Sequence, residues 1–250
     1  MPTSHVISLL ERGFRDAVIV VIGGRGGIGS EVVKQAHELG ANVIIGSRSA
    51  DKYPNNDAAL CLPIDISDSA SIKQFSAKVK EHYGRVDILV NTAGVSYQIP
   101  LKRLDLLSDE VIDEVMLLNA RAPLIVMREM ADLLQQGNDP VIINLSSIAA
   151  QTGGGSNIAY AASKAALDTA SKSVAKALAP KVRVINISPS ALDTDFVRNR
   201  KDNFIDGTIK ASALGRLATT REVATAVICA ARLLTATTGT TLFVDAGRHL

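Results

Sequence analysis

The chain has 250 residues, 47% hydrophobic and 21% charged, enough for a sizeable core, which excludes disordered and collagen-like classes. Twenty-seven Lys and Arg against 25 Asp and Glu leave a net charge of +2, too balanced for nucleic acid or an anionic membrane as main partner. Aromatics are 4% without Trp, and no apolar run nears the ~18 residues of a membrane span, so base-stacking platforms and membrane helices are not expected.

The first ten residues are followed at once by Glu11 and Arg12, too short and too quickly charged for a secretory signal. Further on, short apolar runs at 17–22, 43–45, 60–64, 86–90, 141–145, 182–187 and 241–244 alternate with amphipathic stretches at 28–39, 69–83, 109–136, 158–179 and 221–234. The runs place Val and Ile on consecutive residues, as strands covered on both faces do. Gly40, Gly84, Gly137 and Pro180 fall where the helices should stop. This pattern predicts an α/β chain: one Rossmann-type doubly wound domain over 1–250, with an approximately seven-stranded parallel sheet and helices on both faces. Segment 190–213 is the least regular, carries Arg198, Arg200 and Lys201, and follows a strand's carboxyl end, so it is predicted as a substrate lid. Its three cations are read either as a greeting for an anionic group or as a solvated basic stretch.

Directly after the first strand stands Gly23-Gly24-Arg25-Gly26-Gly27-Ile28-Gly29, then helix. Glycines allow a tight turn and let backbone N–H groups approach a pyrophosphate at the helix N-terminus. Strand before and helix after make this a dinucleotide site rather than a mere turn. The second strand ends in Gly46-Ser47-Arg48-Ser49, with no carboxylate before Asp51 to hold a ribose 2′-hydroxyl. Arg48 can pair with a 2′-phosphate, which points to NADP; its alternative is a solvated loop cation, and the same two readings apply to Arg25. Asp65, with Ile66 beside it, follows the third strand and is placed either to meet an adenine edge or to serve a turn. Asn91-Thr92-Ala93-Gly94 ends the fourth strand, Asn119 sits mid-helix where its propensity is poor, and Ser147 ends the fifth strand. Tyr160 and Lys164 stand at i and i+4 on one helix face. A lysine cation close to a phenol favours the phenolate and lowers its pKa from about 10, making it a usable acid–base group. Cys61 and Cys229 lie far apart, and His5, His37, His82 and His249 show no ligand spacing, so no metal or disulfide framework is expected and a reducing cytoplasm is.

Together these marks resemble the short-chain dehydrogenases/reductases in their branch of about 250 residues. The likeness runs from Ala17 to Gly247 through Gly23-x3-Gly27-Ile28-Gly29, Asp65, Asn91-Thr92-Ala93-Gly94, Asn119, Ser147, Tyr160-x3-Lys164, Pro189 and Thr194. The resemblance implies that Tyr160 is the general acid/base, that Ser147 bonds the substrate oxygen, and that Lys164 lowers the tyrosine pKa and binds ribose. It implies that Asn119 holds a water in a proton relay, that Asn91, Ala93 and Gly94 sit against the cofactor with Pro189, and that Thr194 lies near its carboxamide or phosphates. NADPH-linked reduction of a ketone or 3-oxoacyl thioester to a secondary alcohol, or the reverse, is the expected reaction, and a homo-oligomer, dimer or tetramer, the expected assembly. NAD-linked alcohol oxidation and an NADP-binding sensor or scaffold without turnover are the alternatives. Three positions depart from the family: Ile22 where Thr is usual, Ser190 after Pro189 where Gly is usual, and Ala246 before Gly247 where Gly is usual. The substrate pocket is expected between Val95-Ser96-Tyr97, segment 149–157 and the lid.

Overall fold

Alternate side chains of a strand point to opposite faces, and here both sets are apolar. In β1 (Val18–Ile22), Ile19 and Val21 enter one core while Val18, Val20 and Ile22 enter the other. A computed structural model describes residues 10, 13–50, 59–194, 196–198 and 204–250. His5, Glu11, Arg12, Asp51, Arg200 and Lys201 lie outside the described residues.

Besides β1, the strands are β2 (Asn42–Ser47), β3 (Leu60–Pro63), β4 (Ile88–Asn91), β5 (Ser96–Tyr97), β6 (Val141–Leu145), β7 (Arg183–Pro189), β8 (Val197–Arg198) and β9 (Thr240–Val244). Seven of them form one sheet in the order β3-β2-β1-β4-β6-β7-β9, and every pairing is parallel. The order reverses between β1 and β4, which opens a crevice at the strands' carboxyl ends.

The helices are α1 (Gly27–Glu38), α2 (Ser69–Tyr83), α3 (Asp109–Met116), α4 (Ala122–Gln135), α5 (Ala149–Thr152), α6 (Ile158–Leu178), α7 (Phe204–Lys210) and α8 (Thr220–Arg232). One face of the sheet is covered by α1 and α8 through Val32, Ala36, Val223 and Val227, all fully buried. The other is covered by α2, α4 and α6 through Phe75, Met127 and Leu167. Each of the larger of these side chains contributes about 1.5–3 kcal/mol by leaving water. Local signals set the ends: Asp68 caps α2 by accepting from the Ala70 and Ser71 amides, and Gly84 closes it in the left-handed conformation.

The predicted helix over 109–136 is one continuous rod, but Leu117–Arg121 forms a π-helical turn between α3 and α4. The predicted lid at 190–213 is less irregular than its sequence suggested. It contains β8, which pairs in parallel with β5, and the helix α7. No helix among the described residues is long and apolar enough to cross a membrane.

Candidate active site

The glycine loop is shaped by what a side chain would hit. A Cβ on Gly29 would stand 2.4 Å from the Gly23 carbonyl oxygen, and one on Gly23, whose φ is +82°, would stand 2.8 Å from the Ala93 amide nitrogen. Gly27 faces Thr194, whose methyl would meet its Cβ at 2.8 Å. Ile22 has no hydroxyl to brace this loop, and Thr92 supplies one instead. Thr92 Oγ1 donates to the Ile22 carbonyl at 2.8 Å, and the amides of Thr92 and Ala93 donate to the same oxygen at 2.9 and 3.1 Å. In sequence Thr92 is only one member of Asn91-Thr92-Ala93-Gly94; the signal for its role is a hydroxyl at a strand end beside a loop that lacks the usual one. Ile22 itself is buried in the core.

Above the sheet's carboxyl ends lies a cavity of about 1010 Å³, at the upper end of the usual range for small-molecule sites. Its wall includes Arg25, Gly27, Ile28, Gly29, Ser147, Tyr160, Lys164, Pro189 and Thr194, so the glycine loop and the Tyr-x3-Lys pair meet in one space. The remaining predicted residues stand behind or beside it. Gly23 packs beneath the loop against Ala93, and Gly94 packs on the Asn119 carboxamide. Ser47 ends β2, its hydroxyl 3.3 Å from that of Ser49, and Arg48 follows it, exposed. Asp65 takes the turn role: its carboxylate accepts from the Ser67 amide at 2.9 Å and the Ser67 hydroxyl at 2.7 Å, which holds its pKa low. Ile66 packs on the core beside it.

At the other end, Ser147 follows β6 and Tyr160 stands in the first turn of α6. Asn157 caps that helix by accepting from the Tyr160 amide at 2.7 Å, while its Nδ2 donates to the Tyr97 carbonyl at 2.8 Å. Asn157 thus fixes where the tyrosine starts, a role visible in sequence only as Asn before a helix. The Ser147 hydroxyl acts on the Tyr160 phenol in the direction that lowers its pKa, and both line the same wall of the cavity. Phe196, in the segment predicted as a lid, lies edge-on to the tyrosine ring at 6.0 Å. Lys164 is buried, donates from Nζ to the Leu145 carbonyl at 2.6 Å, and stands 5.8 Å from the Tyr160 ring centre.

The ionisation of the pair departs from the expectation. Burial pushes the Tyr160 phenol up to about 12, opposed by the Ser147 hydrogen bond, and lowers Lys164 to about 8, opposed by the charge of Asp168. Desolvation sets the direction of the phenol's shift, and the lysine's cation does not offset it. At neutral pH the tyrosine therefore holds its proton and can give it.

Asn119 occupies the π turn, which swings its side chain inward. Its Oδ1 accepts from the Val95 amide at 2.9 Å, and its Nδ2 donates to the Val95 carbonyl at 2.9 Å and to the Ser163 hydroxyl at 3.2 Å. The carboxamide clamps the strand end after Gly94. Val95-Ser96-Tyr97, expected on the pocket wall, instead backs it. Ser96 is buried against Ser156 and Asn157, and the Tyr97 hydroxyl bonds Glu114. From 149–157 the wall takes Ala149, Thr152, Gly154, Gly155 and Ser156.

A dinucleotide fits this cavity on two observations. The loop is a cradle that a Cβ would fill at Gly27, and Ser190, which replaces the family's usual glycine, leaves its buried hydroxyl without a partner on the cavity wall. An orphaned buried hydroxyl is costly unless something bonds it.

Comparison with known proteins extends over nearly the whole chain. The profile of a family described as enoyl-(acyl carrier protein) reductase matches residues 23–249. A protein assigned as ketoacyl reductase 2 of the granaticin polyketide synthase of Streptomyces violaceoruber is 33% identical over 93% of this chain and 96% of its own. The 3-oxoacyl-[acyl-carrier-protein] reductase FabG of Escherichia coli is 29% identical over 95% and 99%. Among solved structures, a 3-ketoacyl-(acyl-carrier-protein) reductase from Brucella melitensis complexed with NADH superposes with a TM-score of 0.85 at 26% identity, covering 95% of this chain and all of that one.

Proposed function

The chain belongs to the short-chain dehydrogenase/reductase family of oxidoreductases, and from that premise we propose that it reduces a carbonyl, a ketone or a 3-oxoacyl thioester, to a secondary alcohol with NADPH. The observation that carries this reading is the Ser147–Tyr160 hydroxyl pair on the wall of the cavity that the glycine loop opens into. Two hydroxyls on one wall suit an oxygen that gains negative charge as hydride is delivered.

When bound, the dinucleotide would supply the hydride, its pyrophosphate held by Gly27, Ile28 and Gly29 at the N-terminus of α1. Tyr160 gives its proton to the carbonyl oxygen as negative charge develops there, and Ser147 stabilises that charge in the manner of an oxyanion hole. Lys164 places a cation next to the phenolate left behind. Asn119 keeps the Gly94–Val95 backbone in place beside the site. Arg48 and Arg25 recognise the 2′-phosphate, Ser190 offers its free hydroxyl to the cofactor, and the lid with Phe196 covers the substrate.

A second reading, NAD-linked oxidation of an alcohol, is favoured by one observation: Arg48 is exposed and stands outside the cavity wall. Rates with NADPH and NADH on one substrate separate the two. The test of the whole proposal is loss of NADPH absorbance across a panel of ketones and 3-oxoacyl thioesters, with Tyr160→Phe beside the wild type. Turnover of at least one substrate is expected, falling about 10²–10⁴-fold in the variant while NADPH binds within a few fold. A Tyr160→Phe enzyme that turns over like wild type would sink the assignment.

A further inference from the structure

Four neighbouring strands carry a polar residue at the same level of the sheet. Asn91 of β4 is in register with Asn144 of β6, Asn144 with Asn186 of β7, and Asn186 with Thr241 of β9. The row is bonded: Asn91 Nδ2 donates to Asn144 Oδ1 at 2.8 Å, and Asn144 Nδ2 donates to Asn186 Oδ1 at 3.3 Å and to the Ser171 hydroxyl of α6 at 3.0 Å. All three asparagines are buried among apolar strand residues. Such a row costs stability wherever a member is left unmatched, and Asn91 Oδ1 is. The row leads somewhere. Asn186 Nδ2 donates to Asp168 Oδ1 at 2.9 Å, and Asp168 stands one helical turn beyond Lys164 on the same face of α6.

We propose that Asp168, anchored by Asn186, is a positioning residue that keeps the buried Lys164 ammonium charged and seated on the Leu145 carbonyl beside Tyr160. The inference rests on reading Tyr160 and Lys164 as the proton-handling pair. The surroundings of Lys164 contain few alternatives. Its own helix presents Tyr160 and Asp168; β6 and the turn after it present the Leu145 carbonyl and the Ser147 hydroxyl, which do not ionise near neutrality. Arg25, Glu31, Asp193 and Arg248 line the same cavity, but the charge that acts on Lys164 is that of Asp168. Asp168 in turn faces Lys164, Lys172, Ser146 and Asn186. Burial drives its own pKa up, and these four partners pull it down. Without the Asn186 anchor the carboxyl would more readily take a proton and lose the charge that supports the lysine.

The experiment is competitive acetylation of the full chain with acetic anhydride from about pH 6 to about pH 10, with Lys164 read by peptide mass spectrometry. Wild type should titrate near pH 8. Asp168→Asn should move that midpoint down by about one pH unit, Asn186→Leu by a smaller amount, and Asp168→Glu should restore it. The alkaline limb of the turnover profile should descend by the same amounts. Circular dichroism identifies any variant that fails to fold, and Asn186→Leu with Asp168→Glu then carries the test. Unchanged Lys164 titration in folded Asp168→Asn and Asn186→Leu overturns the proposal, as does a shifted midpoint with an unmoved alkaline limb. A shifted midpoint in a chain that turns over no carbonyl leaves the Asp168 brace standing and removes the proposed function instead.

Discussion

The two ends of the cavity are built by opposite means. At the nucleotide end the walls are backbone, and the design lies in side chains that are missing: Gly23 and Gly29 stand where a Cβ would strike the Ala93 amide or the Gly23 carbonyl. At the proton-transfer end the walls are side chains. Lys164 and Asn119 owe their place to partners on other elements, Leu145 and Val95, while Tyr160 is set by the local cap Asn157. The first kind of site tolerates no added atom, because backbone cannot retreat. The second tolerates small changes of shape but is sensitive to charge, since burial has already moved both Tyr160 and Lys164 away from their ordinary pKa values.

The sharpest way to break this contrast is at Gly29. Gly29→Ala puts a methyl 2.4 Å from the Gly23 oxygen, so the turn itself must open. NADPH affinity measured by fluorescence should fall about a hundredfold or more, with about 1–3 kcal/mol of stability lost from the forced shift. Near-normal binding by a folded Gly29→Ala protein would show that the loop is not held as tightly as its contacts imply. A smaller effect is expected at Arg48, where a side chain, not backbone, would do the recognising. Arg48→Asp should weaken NADPH relative to NADH by about tenfold to a hundredfold without changing stability, the usual size of a charged hydrogen bond. An unchanged ratio would assign the 2′-phosphate to Arg25 or remove the NADP preference.

The same contrast explains what could be read from the sequence. Consecutive Val and Ile runs predicted seven parallel strands because both faces of each are covered, and the glycine spacing was visible because missing side chains leave a local signature. Tyr160 and Lys164 share a helix face, so their pairing was local too. The roles of Thr92, Asn186 and Asp168 were not legible, since they depend on which strand lies beside which and in what register; that of Asn157 is a local cap with no more signal than Asn before a helix. A polar residue inside two apolar runs, at Asn144 and Asn186, and one directly after a third, at Asn91, were the only trace the row left. The pKa of Tyr160 was misjudged for a related reason: spacing brings the lysine near but says nothing of how dry the place is. The π turn at Asn119 is also silent in sequence, because its residues suit an ordinary helix equally well.

The carboxyl-terminal turn sets a limit on the rule that glycine marks every place where backbone geometry demands it. Ala246 has φ +55° and its neighbour Gly247 has φ +74°, so two successive residues are left-handed and only one is glycine. Gly247 has no choice, since a Cβ there would stand 2.7 Å from that of Ala213. The Ala246 carbonyl accepts from the Leu214 amide at 3.0 Å, and Asp245 Oδ1 accepts from the Gly247 amide at 3.0 Å; these bonds hold the alanine in its unfavourable conformation. Left-handed backbone costs an alanine about 1–2 kcal/mol, and glycine escapes that cost. Against this, glycine gives the unfolded chain more freedom, worth roughly 0.5–1 kcal/mol. The difference favours Ala246→Gly by about 0.5 kcal/mol, a rise in Tm of about 1–2 °C for a chain of this length. Arg248, two residues on, lines the cavity, so the relaxed turn should leave turnover within about twofold. A lowered Tm would mean that the Ala246 methyl makes contacts worth more than the strain it sustains.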